Sequence, residues 1–224
     1  MIPREHLGTA QVPGGEELRL YRHGRDFIIM LDRNELMNTR MSGSEEALAT
    51  MAIDRLRAPR PHLLIGGYGM GFTLRAALGR LAAGAKVSVA ELVPEILAWA
   101  RGPMADLTAG CLDDPRVQVI EADVGDAIES GRYDAILLDV DNGPDGLVRP
   151  ENDRLYSMRG LQRARDALLP GGVLAVWSAG RDPAFTRRLK DAGFAVEEVP
   201  VRARSDSRGK GKGAHHVIWF AQKR

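Results

Sequence analysis

The sequence is poor in cysteine and carries almost no net charge. Its only cysteine, Cys111, excludes an internal disulfide and a cysteine-rich metal site, and this small apolar side chain is expected to be packed in the interior. The 31 lysine and arginine residues balance 30 aspartate and glutamate residues, which leaves a formal charge of +1. No global field therefore favours a nucleic-acid partner or an anionic membrane.

Long apolar runs are also absent. No run approaches the roughly 20 residues of a membrane span, and residues 1–15 lack the continuous apolar core of a signal peptide. We therefore expect a cytoplasmic protein with no membrane partner. The length of 224 residues and the hydrophobic content of 44% predict one domain with a small extension.

Two polar features near the C-terminus have ordinary structural explanations. The segment 202–213 holds arginine and lysine among serine and glycine without interleaved aromatic residues, which is typical of a solvated loop; a nucleic-acid contact is the less favoured alternative. His215 and His216 are adjacent, and adjacent residues of a strand face opposite sides, so they are not expected to hold a metal ion together. No metal cofactor is predicted.

Short apolar segments alternate with helical segments through most of the chain. The strands that this alternation predicts are 62–65, 87–92, 117–121, 135–139 and 173–178. Such alternation indicates a parallel sheet covered by helices on both faces. Two further strands, 196–201 and 216–221, have no helix between them and should form an antiparallel pair at one edge. The sequence thus predicts an α/β fold with a mostly parallel sheet and an antiparallel last strand.

The first 42 residues follow a different pattern. Residues 17–36 show strand-like alternation with a turn at His23-Gly24, which predicts a small antiparallel β unit. A helix should follow, because Ser42 and Glu45 have the spacing of a capping box and apolar residues then recur on one helical face. We therefore divide the chain into a β unit at 1–42 and a larger, ligand-binding domain at 43–224.

A glycine-rich loop joins the first strand of the alternation to its helix. In the loop Gly66-Gly67-Tyr68-Gly69-Met70-Gly71, glycine lets backbone N–H groups and a helix N-terminus approach a ligand closely. Gly66, Gly67, Gly69 and Gly71 are therefore candidate cofactor-binding residues; the alternative is a tight strand-to-helix turn. A G-x-G-x-x-G dinucleotide pattern starting at Gly67 would need glycine in place of Phe72, which weakens an NAD interpretation.

Glu91 ends the next predicted strand, twenty residues after Gly71. An acidic side chain at this place can accept hydrogen bonds from both hydroxyl groups of a ribose. The loop and this acid together predict a bound nucleoside; a solvated acid at a strand end is the alternative for Glu91.

Two motifs resemble those of class I S-adenosylmethionine-dependent methyltransferases. They are the alternation of Gly67, Gly69 and Gly71 and the turn Leu168-Leu169-Pro170-Gly171-Gly172 before a strand. The resemblance implies a Rossmann-like fold with a seven-stranded sheet, and S-adenosylmethionine or its decarboxylated form as the ligand.

The same resemblance gives a role to Asp123, which lies just past the third predicted strand. Relatives of this class use an acid here to accept a hydrogen bond from the adenine amino group. Asp126 is a rival for that role. Capping of the following helix is the structural alternative for either residue, because aspartate is a favoured cap.

Within that superfamily, residues 17–174 resemble spermidine synthase and other polyamine aminopropyltransferases. The resemblance is carried by Glu45-Glu46, by the segment 116–123, by Tyr133-Asp134-Ala135-Ile136-Leu137-Leu138-Asp139 and by Leu155-Tyr156. It implies that Asp139 orients an attacking amine and accepts its proton. The chemistry needs such a group, since an amine protonated at neutral pH has no free lone pair; a loop-capping aspartate is the alternative.

The resemblance also implies further contacts. Glu46, Asp141, Asn142 and Tyr156 would face the substrate, and the family's tendency to pair through its N-terminal strands makes a homodimer possible. Acids that could converge near the site favour a cationic small-molecule amine as the acceptor; they are Glu45, Glu46, Asp139, Asp141 and Asp145.

Two stretches depart from the aminopropyltransferase pattern. The family's Tyr-His-Glu triplet becomes Ser44-Glu45-Glu46, and its Asp-Ser-Ser-Asp-Pro becomes Asp139-Val140-Asp141-Asn142-Gly143-Pro144. We therefore predict a spermidine synthase-like methyltransferase that uses S-adenosylmethionine and an unknown acceptor. The alternatives are a polyamine aminopropyltransferase that uses decarboxylated S-adenosylmethionine, and a nucleoside-binding scaffold that has lost its chemistry.

Overall fold

The computed structural model describes residues 3–140, 153–205 and 211–224. Its first unit is a four-stranded antiparallel sheet in the order β1-β2-β3-β4. The strands are β1 (Glu5–Gln11), β2 (Glu17–His23), β3 (Asp26–Leu31) and β4 (Asn34–Asn38). The prediction of a small antiparallel unit identified the segment from β2 to β4 but missed β1, whose mostly exposed residues give no apolar alternation.

The second sheet has seven strands in the order β10-β11-β9-β8-β5-β6-β7. The strands are β5 (His62–Gly66), β6 (Lys86–Glu91), β7 (Val117–Glu121), β8 (Tyr133–Leu138), β9 (Leu168–Ser178), β10 (Phe194–Ser205) and β11 (Gly211–Lys223). Neighbouring strands from β7 to β9 pair in parallel, whereas β11 pairs antiparallel with both β9 and β10. This topology confirms the predicted α/β fold with its antiparallel last strand.

Helices cover the parallel sheet. They are α1 (Gly43–Ile53), α2 (Phe72–Arg80), α3 (Pro94–Arg101), α4 (Val124–Ser130), α5 (Asp153–Tyr156), α6 (Met158–Ala167) and α7 (Pro183–Asp191), with short 3-10 turns at Ala105–Leu107 and Cys111–Asp113. None of these helices in the described ranges is long and apolar enough to cross a membrane. The division of the chain after residue 42 stays a prediction, although α1 begins at Gly43.

The capping box predicted at the start of α1 does not form. Ser42 occupies the N-cap position, but its side chain caps no backbone N–H group. Its φ of −97° and ψ of −12° are helical, whereas a capping serine has extended backbone. Glu45 is therefore free to point elsewhere, which matters for the site described below.

The core forms two apolar layers, one on each face of the parallel sheet. Alternate residues of β5 divide between them, with Leu63 and Ile65 in one layer and Leu64 in the other. The apolar face of β2 and β3 joins the first layer, so the small sheet and the large sheet share that layer. Cys111 is buried and unpaired with any other cysteine, as the single thiol requires.

Candidate functional site

A pocket lies between the carboxyl ends of the parallel strands and the N-terminal sheet. Glu91, Asp123 and Asp139 line it, each at or just after the end of a strand. Carboxyl ends of parallel strands meet at one edge of a sheet, which is why acids so distant in sequence converge here. The small sheet contributes apolar side chains to the opposite wall, among them Leu18, Leu31, Leu36 and Met37.

The glycine loop supplies part of the wall. Gly67 has φ +81°, and a Cβ atom there would lie 2.8 Å from the backbone oxygen of Asp139. Gly69 has φ +56° and also lines the pocket; a Cβ atom there would lie 3.5 Å from Sδ of Met37 in β4. Of the four predicted glycines, Gly66 ends β5 and Gly71 is the N-cap of α2, and neither lines the pocket. Their contacts with a ligand stay predictions.

Glu91 holds the glycine loop in place. Its Oε2 accepts a hydrogen bond from the backbone N of Tyr68 at 2.9 Å, and its Oε1 accepts one from the backbone N of Val93 at 2.9 Å. Burial raises the pKa of the Glu91 carboxyl, while these and further backbone hydrogen bonds oppose the rise. The side chain is 6% exposed, so the structure excludes the solvated acid that was the alternative. Its contact with a ribose stays a prediction.

Asp123 both caps a helix and lines the pocket. Its Oδ1 accepts a hydrogen bond from the backbone N of Gly125 at 2.8 Å and so caps α4, while the residue still lines the pocket. Its Oδ2 forms an ion pair with Arg154 Nη2 at 3.0 Å. The rival Asp126 is exposed and does not line the pocket. The adenine contact proposed for Asp123 stays a prediction.

Asp139 follows β8, and its carboxyl group is held by Thr73. The hydroxyl of Thr73, in the first turn of α2, donates a hydrogen bond to Asp139 Oδ2 at 2.7 Å. The backbone N of Asp139 donates to the carbonyl oxygen of Gly66 at 3.0 Å, which fixes the residue to the start of the glycine loop. Burial raises the pKa of Asp139 to about 6, and the hydrogen bond from Thr73 acts against that rise. A carboxyl group of this kind is mostly ionised at neutral pH and can accept a proton.

Glu45 and Glu46 start α1 but meet different surroundings. Glu46 Oε1 pairs with Arg75 Nη2 at 2.9 Å. Glu45 Oε2 is buried and has no hydrogen-bond partner among the described residues. Burial, with the nearby charge of Asp139, raises the pKa of Glu45 well above its usual value. The substrate contact predicted for Glu46 stays a prediction, but its carboxylate already has a cationic partner.

The remaining predicted substrate residues divide between described and undescribed parts of the chain. Asp141 and Asn142 lie outside the described residues, as does Asp145. Tyr156 is buried at the end of α5, and its hydroxyl donates to the carbonyl oxygen of Val140 at 3.3 Å. This contact places Tyr156 next to the segment that carries Asp139, and its contact with a substrate stays a prediction.

Sequence reasoning missed two contributions to the site. Thr73 stands only two residues past the glycine loop, but nothing local shows that its hydroxyl reaches Asp139. The apolar wall from the N-terminal sheet is also invisible in sequence, since it depends on how two sheets pack. Glu45 was among the acids expected to converge near the site, but its predicted capping role gave no sign that one of its carboxylate oxygens is buried. The signal that could have shown this burial is the apolar pair Leu48 and Ala49, three and four residues further along the same face of the helix.

Neither the histidine pair nor any other cluster in the described ranges suggests a metal ion. No group of three histidine, cysteine, aspartate or glutamate residues there is arranged to hold one. His215 is exposed, whereas His216 is half-buried, with its Nδ1 at 2.9 Å from Ser44 Oγ. The two rings therefore face different surroundings, as the strand periodicity predicted.

Comparison with known proteins gives one consistent group of relatives. A polyamine aminopropyltransferase of Mycobacterium tuberculosis is 33% identical over 198 residues, which cover 84% of this chain and 35% of that protein. The chain thus spans about a third of the length of that relative. No protein-family model matches the chain.

Solved structures agree on the fold. Spermidine synthase from Thermotoga maritima matches 98% of this chain with a TM-score of 0.74 and 18% identity, and 72% of that chain is covered. Human methyltransferase-like protein 13 in complex with SAH matches 80% of this chain, and 82% of its own, with a TM-score of 0.60 and 22% identity. At these identities the likeness confirms the predicted fold and carries no conclusion about activity.

Proposed function

Because the chain belongs to the spermidine synthase-like branch of the class I S-adenosylmethionine-dependent methyltransferase fold, we propose that it is an aminopropyltransferase. Its donor would be decarboxylated S-adenosylmethionine and its acceptor an aliphatic amine. The departures from the family's motifs favoured methyl transfer, but the similar aminopropyltransferases and the charges of the pocket support the alternative better.

One observation carries this proposal. The described residues that line the pocket include three carboxylates and no lysine, arginine or histidine. Arg154 does not line the pocket but pairs with Asp123, so it offsets part of the charge of that one carboxylate. Decarboxylated S-adenosylmethionine has two positive centres and no carboxylate, so it suits a wall of acids better than S-adenosylmethionine does.

Each residue has its own part in this scheme. Gly67 and Gly69 keep side chains away from the ligand, Glu91 supports that loop and faces the ribose, and Asp123 faces the adenine. The bound donor supplies a sulfonium, whose sulfur leaves as a neutral thioether when a nucleophile attacks the neighbouring carbon.

Asp139 prepares that nucleophile. Its carboxylate accepts one proton from the ammonium group of the acceptor, which frees the nitrogen lone pair. A new carbon–nitrogen bond then forms as the carbon–sulfur bond breaks, and the electron pair of the broken bond stays on sulfur. The pKa of Asp139, raised to about 6, makes the carboxylate a stronger base than an ordinary aspartate while leaving it mostly ionised at neutral pH.

Methyl transfer from S-adenosylmethionine is a second candidate. It is favoured by the replacement of the family's Tyr-His pair by Ser44 and Glu45, since that pair would position a polyamine. Backbone N–H groups of the glycine loop could then meet the carboxylate of the donor.

A cytoplasmic location and a homodimer also stay proposals.

The test is a product assay with two donors. The purified chain is incubated with putrescine and either decarboxylated S-adenosylmethionine or S-adenosylmethionine, and the nucleoside product is identified by mass spectrometry. Methylthioadenosine formed from the decarboxylated donor supports aminopropyl transfer. S-adenosylhomocysteine formed only from the other donor supports methyl transfer, and the absence of both products, with nucleoside binding retained, supports an inactive scaffold.

A further inference from the structure

We propose that Glu45 and Asp139 together bind the protonated amino group of the acceptor, with Glu45 as the residue that selects a cation. The inference deepens the proposed function and rests on it for the identity of the acceptor. It gives a role to a side chain that the resemblance to known aminopropyltransferases does not assign, because the family has histidine at this place of its Tyr-His-Glu triplet.

Glu45 lies where the start of α1 meets the end of β8. Thr73 Oγ1 lies 2.7 Å from Asp139 Oδ2 and 3.4 Å from the backbone oxygen of Glu45. One hydroxyl group therefore connects the two elements. The charge of Asp139 also raises the pKa of the Glu45 carboxyl, so the two side chains are near enough to interact.

One carboxylate oxygen of Glu45, Oε2, is buried without a partner among the described residues, although the neighbouring Glu46 is paired with Arg75. Buried polar atoms in folded proteins are almost always hydrogen-bonded, and an unpaired buried carboxylate oxygen costs more than most. A helix start that needed no ligand could tolerate an apolar residue here. An acid in this place therefore points to a cationic partner.

Further polar groups surround this place. Trp177 follows Val176, which pairs with Leu138 in the β8–β9 ladder. Its indole Nε1 is a second buried polar atom without a partner among the described residues. Its ring packs against His216, whose Nδ1 contacts Ser44 Oγ, the side chain just before Glu45. Polar groups thus gather around the ends of β8 and β9 on the side where α1 begins. A primary amine, with three N–H donors, can satisfy two carboxylates at once.

The binding experiment uses the full chain and two matched probes. Putrescine is the cationic probe, and 1,4-butanediol has a similar carbon chain without charge. Affinity is measured by isothermal titration calorimetry in the presence of methylthioadenosine. We expect wild-type protein to bind putrescine at least about tenfold more tightly than butanediol, as one charge-assisted hydrogen bond can provide.

The variants compare neighbouring acids on one helix. Glu45→Gln should weaken putrescine binding at least about tenfold, since it keeps the shape but removes the carboxyl group that would pair with the bound ammonium. Glu46→Gln should weaken it less, because Glu46 is paired with Arg75. Asp54→Asn makes the same change of charge at the exposed end of α1 and should leave the affinity unchanged. Far-UV circular dichroism and the melting temperature verify that each variant is folded.

The outcomes separate this inference from the proposed function. If Glu45→Gln binds putrescine within twofold of wild type, or if Glu46→Gln has the larger effect, the inference is overturned even when wild type transfers aminopropyl groups. If wild type binds putrescine through Glu45 but yields no methylthioadenosine from the decarboxylated donor, the inference stands and the proposed function fails. Equal binding of butanediol and putrescine also overturns the inference.

Discussion

Glu91, which is buried, and Glu45, which is half-buried with one buried carboxylate oxygen, show how one residue type can have different surroundings in neighbouring parts of one protein. Both carboxyl groups are withdrawn from water, and burial raises the pKa of both. Glu91 has backbone N–H donors on each oxygen, whereas Glu45 has an oxygen with no described partner. The satisfied acid stabilises the glycine loop, and the unsatisfied acid is suited to receive a charge from outside. Burial alone therefore does not distinguish the two acids; the count of hydrogen-bond partners does.

The largest effect is expected at Asp139, which the proposal places with Glu45 at the amino group of the acceptor. Asp139→Asn should lower kcat by about 10²- to 10⁴-fold, because the proton acceptor is lost. Binding of methylthioadenosine should change by no more than a few fold, since the nucleoside side of the pocket is intact. Steady-state rates with the decarboxylated donor, together with calorimetry, measure both. An unchanged kcat would remove Asp139 from the proposed chemistry.

The dependence of stability on pH is expected to be the next largest effect. The pKa of Asp139 is raised from 3.8 to about 6 in the folded protein, so the folded state holds this proton more tightly than the unfolded chain. The protonated Asp139 stabilises the folded state fully below the pKa that this group has in the unfolded chain. This stabilisation is lost as pH rises through about 6. The variant Asp139→Asn cannot ionise, and at pH 7.5 it should be more stable than wild type by up to roughly 3 kcal/mol.

Urea unfolding at several pH values measures that difference. The gain in the free energy of unfolding should shrink as pH falls and disappear below about pH 4, where the wild-type carboxyl group is protonated in both states. Asp54→Asn makes the same change of charge at an exposed acid and serves as the control. A stability difference that grows at low pH would contradict the assigned direction of the pKa shift.

The role of Glu91 in holding the glycine loop can be tested by substitution. In Glu91→Gln one carboxylate oxygen becomes an amide NH₂ group, which cannot accept a hydrogen bond from whichever backbone N–H it faces, that of Tyr68 or that of Val93. We expect a loss of about 1–3 kcal/mol in the free energy of unfolding, the cost of one unpaired buried donor. Glu121 pairs with Glu91 in the β6–β7 ladder but is exposed, so Glu121→Gln is a matched control that should change little. Equal losses in the two variants would show that Glu91 has no special structural role.

The smallest effect concerns Thr73, which connects the two acids of the acceptor side. Thr73→Val keeps the shape of the side chain but removes the hydrogen bond that holds down the pKa of Asp139. The acidic limb of the pH–rate profile should therefore move to higher pH, with a small change in kcat at its plateau. Thr73→Ser keeps the hydroxyl and should restore the wild-type profile. A lower kcat without a shift of the profile would indicate a packing role only.

The sequence by itself determined the architecture and the place of the pocket. Strand and helix periodicity are local properties, and a parallel α/β sheet offers few ways to arrange them, so the strands from His62 onward and their antiparallel edge were predicted correctly. Glycine spacing and acids at strand ends are equally local signals. Gly67, Gly69, Glu91, Asp123 and Asp139 accordingly line one pocket, although what each of them binds stays a prediction.

Only the tertiary structure decided which acids are satisfied. Glu45, Thr73 and Asp139 come from three separate segments, and no local pattern reports that they meet. On a helix, successive residues differ by about 100° in direction, so Glu46 reaches Arg75 while one carboxylate oxygen of Glu45 points into the interior. Sequence resemblance aligned Glu46 with the acid of the known family. Packing of α1 against the end of β8 left one carboxylate oxygen of the neighbouring acid without a hydrogen-bond partner among the described residues, because side-chain partners depend on contacts between distant segments.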